Sequence, residues 1–215
     1  MPSENELARE YDVSRETIRK ALLLLLENGY IHKIQGKGSI VLDVHRYRLP
    51  VTGLLSFKER RQFQDVEATT KVIVNEEVEA PDFLVRLGLV KRGEKLIYLV
   101  RQRIVDGEAV ILDKDYIRKS AIGELPTDRV EESLYEYLEN DLGIKISYGN
   151  KDFKIEPVSE EDSTYIDLNG HKHIAVLRSD VYTEGTDFLH YTESRHRVDK
   201  FHFSEFARRK SNRIN

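Results

Sequence analysis

The stretch Asp12–Leu22, which reads DVSRETIRKAL, determines how the rest of the chain is interpreted. Ser14 is suited to cap a helix, because its hydroxyl can accept a hydrogen bond from a backbone N–H that would otherwise lack a partner. The apolar side chains that follow recur at helical spacing, at Ile18, Leu22 and Leu25. The stretch therefore predicts a helix with one buried apolar stripe.

A second side of this predicted helix carries basic residues. Arg15 and Arg19 lie one turn apart, with Thr17 and Lys20 beside them. Arginines near the start of a short helix suit the DNA major groove, where the guanidinium binds guanine edges and phosphates. The same pattern is also typical of a solvated helix surface, and this stretch alone leaves the two interpretations open.

Composition excludes several classes of protein. The chain has 215 residues, of which 40% are hydrophobic and 33% charged, as in soluble globular proteins of one large or two small domains. The longest apolar run, Ala21–Leu26, is too short to span a membrane, and no secretory signal is recognised, so a cytoplasmic location is expected. Without cysteine there are no disulfides, no cysteine catalysis and no thiolate metal sites.

The charge is unevenly distributed along the chain. The net charge is −4, yet residues 14–48 contain seven basic and three acidic residues. This distribution indicates a basic module joined to a non-basic one, as in a DNA-binding head with a second domain.

The segments around the first stretch complete a winged helix-turn-helix. Ser3 and Glu6 form the pattern of a capping box, and a three-residue turn separates this first helix from the second. The second helix is expected to end at Asn28-Gly29, before two short strands. The turn between the strands, residues 35–38, contains two glycines and Lys37, which can reach a phosphate. It lacks the spacing of a nucleotide-binding P-loop.

These motifs resemble the DNA-binding domain of GntR-family transcriptional regulators. The matching elements are PSE at residues 2–4, VSR at 13–15, TIR at 17–19, GYI at 29–31 and GKGS at 36–39. The family domain usually begins with a further helix, so the first helix is expected to be missing here. The resemblance implies binding to operator double-stranded DNA through Asn5, Ser14, Arg15, Thr17, Arg19, Gln35, Gly36, Lys37 and Gly38. A homodimer is expected because a single recognition helix reads few base pairs, whereas two paired helices read a palindrome.

A second module is expected after a polar linker. We place the DNA-binding domain at residues 1–43, the linker at 44–50, ending at Pro50, and the second domain at 51–215. Two long hairpins, turning at Asp106-Gly107 and near Glu184-Gly185, alternate with short helical segments. This order predicts an α+β domain built on one antiparallel sheet.

The second module resembles the effector-binding (UTRA) domain of the HutC subfamily of GntR regulators, which shares its fold with chorismate lyase. The motifs are GLLSFKE at residues 53–59, VRQR at 100–103, SLYEY at 133–137 and YTESRHRVDKF at 191–201. The sequences of these motifs, together with LDKDY at residues 112–116, are similar to those of the subfamily members that repress trehalose operons and respond to trehalose 6-phosphate. The resemblance thus implies a repressor released from its operator by trehalose 6-phosphate. A regulator that senses another sugar phosphate is the alternative.

Two arginines are the strongest candidates for binding a phosphate. Arg101 and Arg103 are two apart on a predicted strand, so both point to the face that also carries Ile97 and Leu99. Arginine on an apolar face is costly unless it finds an anion. That anion is either an effector phosphate or an acidic side chain of the sheet. Ser133 at a helix start can add a hydroxyl, or simply cap the helix.

The resemblance implies roles for further residues. Ser56, Phe57 and Lys58 are expected to close over the effector, and Arg101, Arg103, Ser133 and Tyr135 to hold its phosphate. The candidates for the sugar end are Asp113, His190, Glu193, Arg195, His196 and Arg197. The two histidines can equally be structural. A two-residue turn pairs Arg101 with Leu112, which places Asp113 on the opposite face unless a register shift or bulge intervenes.

An enzyme is the alternative that the lyase fold raises. A shared fold does not carry function, and the sequence contains no nucleophile–base constellation and no metal-ligand spacing. We therefore expect no enzyme activity, no metal and no cofactor.

Overall fold

The computed structural model describes residues 1–27, 29–34, 38–42, 57 and 67–202. These residues form two compact units, one within residues 1–51 and the other within residues 52–202. The expected linker at 44–50 lies outside the described residues, so the predicted domain boundaries stay predictions.

The first unit is a helix pair followed by a small hairpin. Its elements are α1 (Glu4–Glu10), α2 (Arg15–Glu27), β1 (Ile31–Ile34) and β2 (Gly38–Val41), with β1 and β2 antiparallel. Both predicted caps are confirmed. The Glu6 N–H donates to Ser3 Oγ and the Ser3 N–H to Glu6 Oε2, and the Thr17 N–H donates to Ser14 Oγ at 3.0 Å.

The buried stripe of α2 differs by one position from the prediction. Ile18 is buried and Leu22 is partly buried, but Leu25 is 38% exposed, and the stripe continues at Leu26 instead. Residues spaced by four positions turn by about 40° around the helix at each step, so the buried side of α2 drifts gradually from Ile18 to Leu26. The helix ends as expected, because Gly29 adopts a positive φ of 80°.

The second unit is built on a six-stranded antiparallel sheet, which confirms the predicted α+β class. The strand order is β3-β4-β5-β8-β7-β6. The strands are β3 (Ala68–Glu79), β4 (Lys95–Val105), β5 (Glu108–Arg118), β6 (Ile146–Pro157), β7 (His173–Thr183) and β8 (Phe188–Arg197). The helices are α3 (Asp82–Arg86), α4 (Lys119–Ile122), α5 (Thr127–Glu136), which continues into a π-helical turn (Tyr137–Asp141), and α6 (Glu160–Tyr165); a 3₁₀ turn (Val198–Lys200) follows β8.

Helices cover both faces of this sheet. On one face, residues of α4 and α5 such as Ile122 and Leu134 pack against Leu99 and Ile117. On the other face, Leu84 of α3 packs against Leu96, and Ile166, just after α6, belongs to a cluster with Val100, Leu112, Ile174 and Val176. No helix within the described ranges is long and apolar enough to cross a membrane.

A bulge in β5 decides which side chains meet on the sheet. The β4–β5 turn is at Asp106-Gly107 as predicted, and Ile104 pairs with Ala109. The register then shifts by one residue, because Val110 has no partner, so that Arg101 pairs with Asp113. The expected pairing of Arg101 with Leu112 is therefore wrong, and Asp113 lies on the same face as the arginines.

The stability of the turn between β4 and β5 should depend on Gly107. Its φ is 82°, and an added Cβ would meet no atom within 4 Å, so the cost of a side chain is one of backbone conformation. We expect Gly107→Ala to lower the free energy of unfolding by about 1 kcal/mol. Gly107→Asn should cost less, since Asn tolerates this conformation. Urea unfolding measures both; equal losses would contradict the explanation.

Candidate functional site

Polar side chains from three neighbouring strands share one face of the sheet. Arg101 and Arg103 come from β4, and Arg101 pairs with Asp113 of β5, which pairs in turn with Ser194 of β8. Asp115 lies two residues further along β5 on the same face. We call this surface the arginine face, and it is the side covered by α4 and α5.

Arg101 begins one chain of polar contacts across this face. Its Nη2 donates to Asp115 Oδ2 at 2.6 Å, and the Thr192 hydroxyl donates to Asp115 Oδ1 at 2.6 Å. The Thr192 oxygen also lies 3.0 Å from His190 Nδ1. Since the hydroxyl hydrogen goes to the carboxylate, His190 must donate from Nδ1, and its Nε2 is left as an acceptor. That Nε2 is buried without a hydrogen-bond partner in the described structure.

Arg103 begins a second chain of the same composition. Its Nε donates to Asp113 Oδ2 at 2.8 Å, the Ser194 hydroxyl donates to Asp113 Oδ1, and Ser194 Oγ lies 2.8 Å from His196 Nε2. Arg103 Nη1 also donates to Thr70 Oγ1 at 2.5 Å. The ring of Phe57 lies 4.6 Å from the Arg103 guanidinium carbon, which places one residue of the predicted closing segment on this site.

Each arginine is therefore neutralised by the sheet itself. Arg101 and Arg103 are 5% and 3% exposed, and two carboxylates balance their two charges. Of the two anions expected for these arginines, the acidic side chains of the sheet are the ones that this structure contains. Within the part of the chain that the structure describes, the buried Arg101 Nε has no hydrogen-bond partner. An added anion must use such unsatisfied donors or take the place of a carboxylate.

The buried charges shift the ionisation of their neighbours. Burial and the charge of Arg101 lower the pKa of Arg103 to about 10, so it remains charged at neutral pH. Burial would raise the pKa of Asp113, but Arg103 and Arg101 outweigh it and hold the pKa below its ordinary value. Burial lowers the pKa of His190 to about 4, because the attraction of Asp115 offsets only part of the cost.

Ser133 and Tyr135 lie at a break in α5. Ser133 leaves the helical conformation at φ −165° and ψ 118°, and the Glu136 N–H donates to Ser133 Oγ at 3.3 Å. Ser133 thus caps the second part of the helix, as one of its two predicted roles requires. The Tyr135 ring contacts His190 edge-on, with centroids 5.8 Å apart, so the break lies beside the Arg101 chain of contacts.

The structure does not bring Glu193, Arg195 and Arg197 to this site. Side chains alternate along a strand, so these residues point to the opposite face from Thr192, Ser194 and His196. Arg195 forms a two-pronged pair with buried Asp162, at 2.6 and 2.8 Å. Further ion pairs join Arg197 to Glu108 and Asp199, and Glu193 to Lys114 and Arg178. The expectation that they share one pocket with the arginine pair is corrected accordingly.

Four residues of the arginine face were missed from the sequence. Asp115, Thr192, Ser194 and Thr70 hold the arginines or their carboxylates. Three of them could have been found from strand parity, because Asp115 has the same parity as Asp113, and Thr192 and Ser194 have the same parity as His190 and His196. Ser56 and Lys58 lie outside the described residues.

On the first unit, the predicted DNA-contacting side chains are largely exposed. Arg15 and Arg19 have side chains 68% and 66% exposed, with surface ion pairs to Glu4 at 3.3 Å and Glu16 at 2.8 Å. Such pairs are weak and exchange readily for phosphates. The Ser14 and Thr17 hydroxyls bond to each other at 2.8 Å. Asn5 and Gly38 are exposed, and Gln35, Gly36 and Lys37 lie outside the described residues.

Comparison with known proteins identifies the two units. The family "Bacterial regulatory proteins, gntR family" matches residues 1–41, and the UTRA domain matches residues 64–202. The chain belongs to the GntR family. This GntR-family regulator is 46% identical over 211 residues to the HTH-type transcriptional regulator TreR of Bacillus subtilis (strain 168), covering 97% of the chain and 88% of TreR. It is 25% identical to the repressor MngR of Escherichia coli (strain K12), over 99% of the chain and 88% of MngR.

Solved structures agree with this assignment. The effector binding domain of the B. subtilis trehalose repressor TreR matches with a TM-score of 0.61 and 39% identity, over 66% of this chain and 99% of that one. The regulator YydK of B. subtilis matches with a TM-score of 0.76 over 96% of this chain and 89% of that one. At 22% identity, YydK shows the shared fold alone. No group of three or more metal-ligating residues occurs in the part of the GntR-family chain that the structure describes.

Removing one partner of a buried ion pair should lower the free energy of unfolding substantially. We expect Asp115→Ala to lower the free energy of unfolding by about 3–5 kcal/mol, because Arg101 is left buried and uncompensated. The double variant Arg101→Met with Asp115→Leu should lose less than the single one. Glu184→Ala, which breaks the exposed pair with Lys145, is the control and should cost below about 1 kcal/mol. An Asp115 loss as small as the control would contradict the assigned role.

The depressed pKa of His190 predicts a pH dependence. Between pH 6.5 and about 4 the unfolded chain binds a proton at this residue and the folded chain does not, so stability falls as the pH drops. The loss approaches about 3 kcal/mol at pH 4 for a shift of this size. Urea unfolding across this range should show a steeper decline for the wild type than for His190→Gln. Parallel profiles would show that the histidine titrates normally.

Proposed function

We propose that this chain is a transcriptional repressor of trehalose uptake and utilisation genes, which binds operator DNA as a homodimer and is released by trehalose 6-phosphate. The observation that carries the proposal is the 46% identity with TreR across nearly the whole chain, including both the DNA-binding and the UTRA units. The known relatives are transcriptional regulators, which supports a role without catalysis.

The DNA-binding role relies on α2. Its buried stripe holds it against the first unit, while Arg15 and Arg19 extend into solvent from its first turns. Each arginine can exchange its carboxylate partner for a phosphate or a guanine edge. A single such helix reads few base pairs, and a two-fold dimer presents two of them to a palindromic operator.

The effector role relies on exchange at the arginine face. A sugar phosphate brings close to two negative charges and three acceptor oxygens, more of each than a single carboxylate offers to the guanidinium forks. We infer that the phosphate takes over contacts that Asp113 and Asp115 make in the ligand-free chain. The carboxylates would retain the hydroxyls of Ser194 and Thr192, which limits the cost of their release.

The same face offers groups for the sugar. The unpaired Nε2 of His190 can accept a hydrogen bond from a sugar hydroxyl, and Phe57 and Tyr135 supply aromatic surface. The effector can release DNA only if it binds the DNA-incompetent state more tightly than the DNA-bound state. Breaking two buried ion pairs and replacing them with contacts to the phosphate can supply this difference in effector affinity between the two states.

Operator release by the effector provides the test. DNA bound by the full chain is first selected from a pool of random duplexes, and binding is followed by fluorescence anisotropy. Trehalose 6-phosphate should weaken binding at least about tenfold, whereas trehalose and inorganic phosphate should not. Arg15→Ala should weaken DNA binding by about 1–3 kcal/mol without affecting binding of the effector.

The outcomes separate the parts of the proposal. Release by a different sugar phosphate, and not by trehalose 6-phosphate, would favour a regulator with another effector. Failure to select any DNA would overturn the repressor function, and turnover of a chorismate-like substrate would establish an enzyme. The double variant Arg101→Met with Asp115→Leu should bind the selected DNA and no longer respond to the effector.

A further inference from the structure

The carboxylate of Glu4 joins three elements of the first unit. Glu4 is the first residue of α1, and its side chain is only 20% exposed. Its Oε2 accepts a hydrogen bond from Arg15 Nε at 3.3 Å, and its Oε1 accepts one from Lys33 Nζ at 3.5 Å. Arg15 begins α2 and Lys33 lies on β1, so one acidic group contacts both the helix proposed to read DNA and the hairpin that follows it in the chain.

The two cations keep this carboxylate ionised and hold it in place. The hydrogen bond from Arg15 lowers the pKa of Glu4 below its ordinary value, and Lys33 adds to this lowering, whereas partial burial opposes it. Contacts with two different elements also restrict the carboxylate more than a single surface pair does. Glu4 therefore places a negative charge at a defined position beside the start of α2.

The atom that Arg15 uses for this contact determines what the rest of its guanidinium can bind. Nε lies on the side of the guanidinium, whereas the two Nη groups at its end form a fork that fits O6 and N7 of guanine. Within the described part of the chain, both Nη groups of Arg15 are without a hydrogen-bond partner, and its side chain is 68% exposed. A guanine edge can thus be bound while Glu4 still holds Nε.

Arg19 is held in the opposite way. Its Nη2 lies 2.8 Å from Glu16 Oε2 and donates to Glu16 Oε1 at 3.1 Å, so the carboxylate occupies the end of the guanidinium. Arg19 must release this carboxylate before both of its Nη groups can bind a base. Glu16 is 52% exposed and contacts only its own helix in this pair, which makes it a matched control for Glu4.

We propose that Glu4 is a positioning residue for operator recognition, which holds Arg15 by Nε and thereby directs the Nη fork towards a guanine. This inference rests on the DNA-binding part of the proposed function and names a residue that acts on DNA through another side chain. Operator binding gains because a side chain with many rotamers is already ordered before it meets the base. Binding to unrelated DNA gains nothing, since Arg15 reaches phosphates in many conformations and Glu4 repels them.

Substitution of Glu4 should have opposite effects on the two kinds of DNA. Loss of a negative charge by itself strengthens binding to any phosphate backbone. We nevertheless expect Glu4→Ala to weaken binding of the full chain to its selected operator about three- to tenfold, while binding to duplexes of unrelated sequence is unchanged or stronger. Glu16→Ala should leave operator binding unchanged or strengthen it. Fluorescence anisotropy at one salt concentration measures all four affinities.

A double-mutant cycle shows whether Glu4 acts through Arg15. In an Arg15→Ala background, Glu4→Ala should cause no further loss of operator affinity. Glu4→Gln keeps an oxygen that can accept a hydrogen bond from Nε, so it should retain part of the affinity that Glu4→Ala loses. Urea unfolding verifies that each variant is folded.

The results distinguish this inference from the proposed function. If Glu4→Ala strengthens binding to the operator and to unrelated DNA alike, Glu4 only repels phosphates, and this inference is overturned while the proposed function stands. An equal loss of operator affinity with and without Arg15 overturns it as well, because Glu4 then acts on DNA or on the fold independently. A wild type that selects no DNA overturns both. A loss confined to the operator and absent in the Arg15→Ala background supports both.

Discussion

Two arginine side chains are buried side by side on β4, and neither can remain there without a negative partner. Transfer of a guanidinium from water into a protein interior costs several kcal/mol unless charge and hydrogen bonds replace the lost hydration. Arg101 and Arg103 meet this requirement through Asp115 and Asp113, which are almost completely buried in turn. This need for negative partners explains much of the composition of the arginine face.

Each carboxylate needs further partners of its own. A hydroxyl from β8 donates to each one, and a histidine lies next to each hydroxyl, so two chains of the same composition cross three strands. The Val110 bulge is what brings the carboxylates to this face. A charge-balanced site of this kind does not attract anions strongly at a distance, so the effector that we propose would be selected at contact, by how well it replaces the carboxylates.

The sequence predicted the large features from local chemistry. The capping box at Ser3, the hairpin turn at Asp106-Gly107 and the shared parity of Arg101 and Arg103 are each determined within a few residues, and the structure agrees with all three. Motif resemblance identified the family, which the comparisons confirm.

What the sequence did not predict depends on distant parts of the chain. The Val110 bulge moved Asp113 to the arginine face, and nothing in the residues around the turn indicates it. Strand parity would have separated Arg195 from His196, but the motif that contains both suggested a common site. The buried partner of Arg195 is Asp162, which is 33 residues away in the sequence.

The most direct test is a crystal structure of this chain with trehalose 6-phosphate bound. In that complex we expect phosphate oxygens within hydrogen-bonding distance of the Arg101 and Arg103 guanidiniums, with the 2.8 Å contact between Arg103 Nε and Asp113 lengthened or lost. A phosphate bound elsewhere, with both arginine–aspartate pairs unchanged, would contradict it.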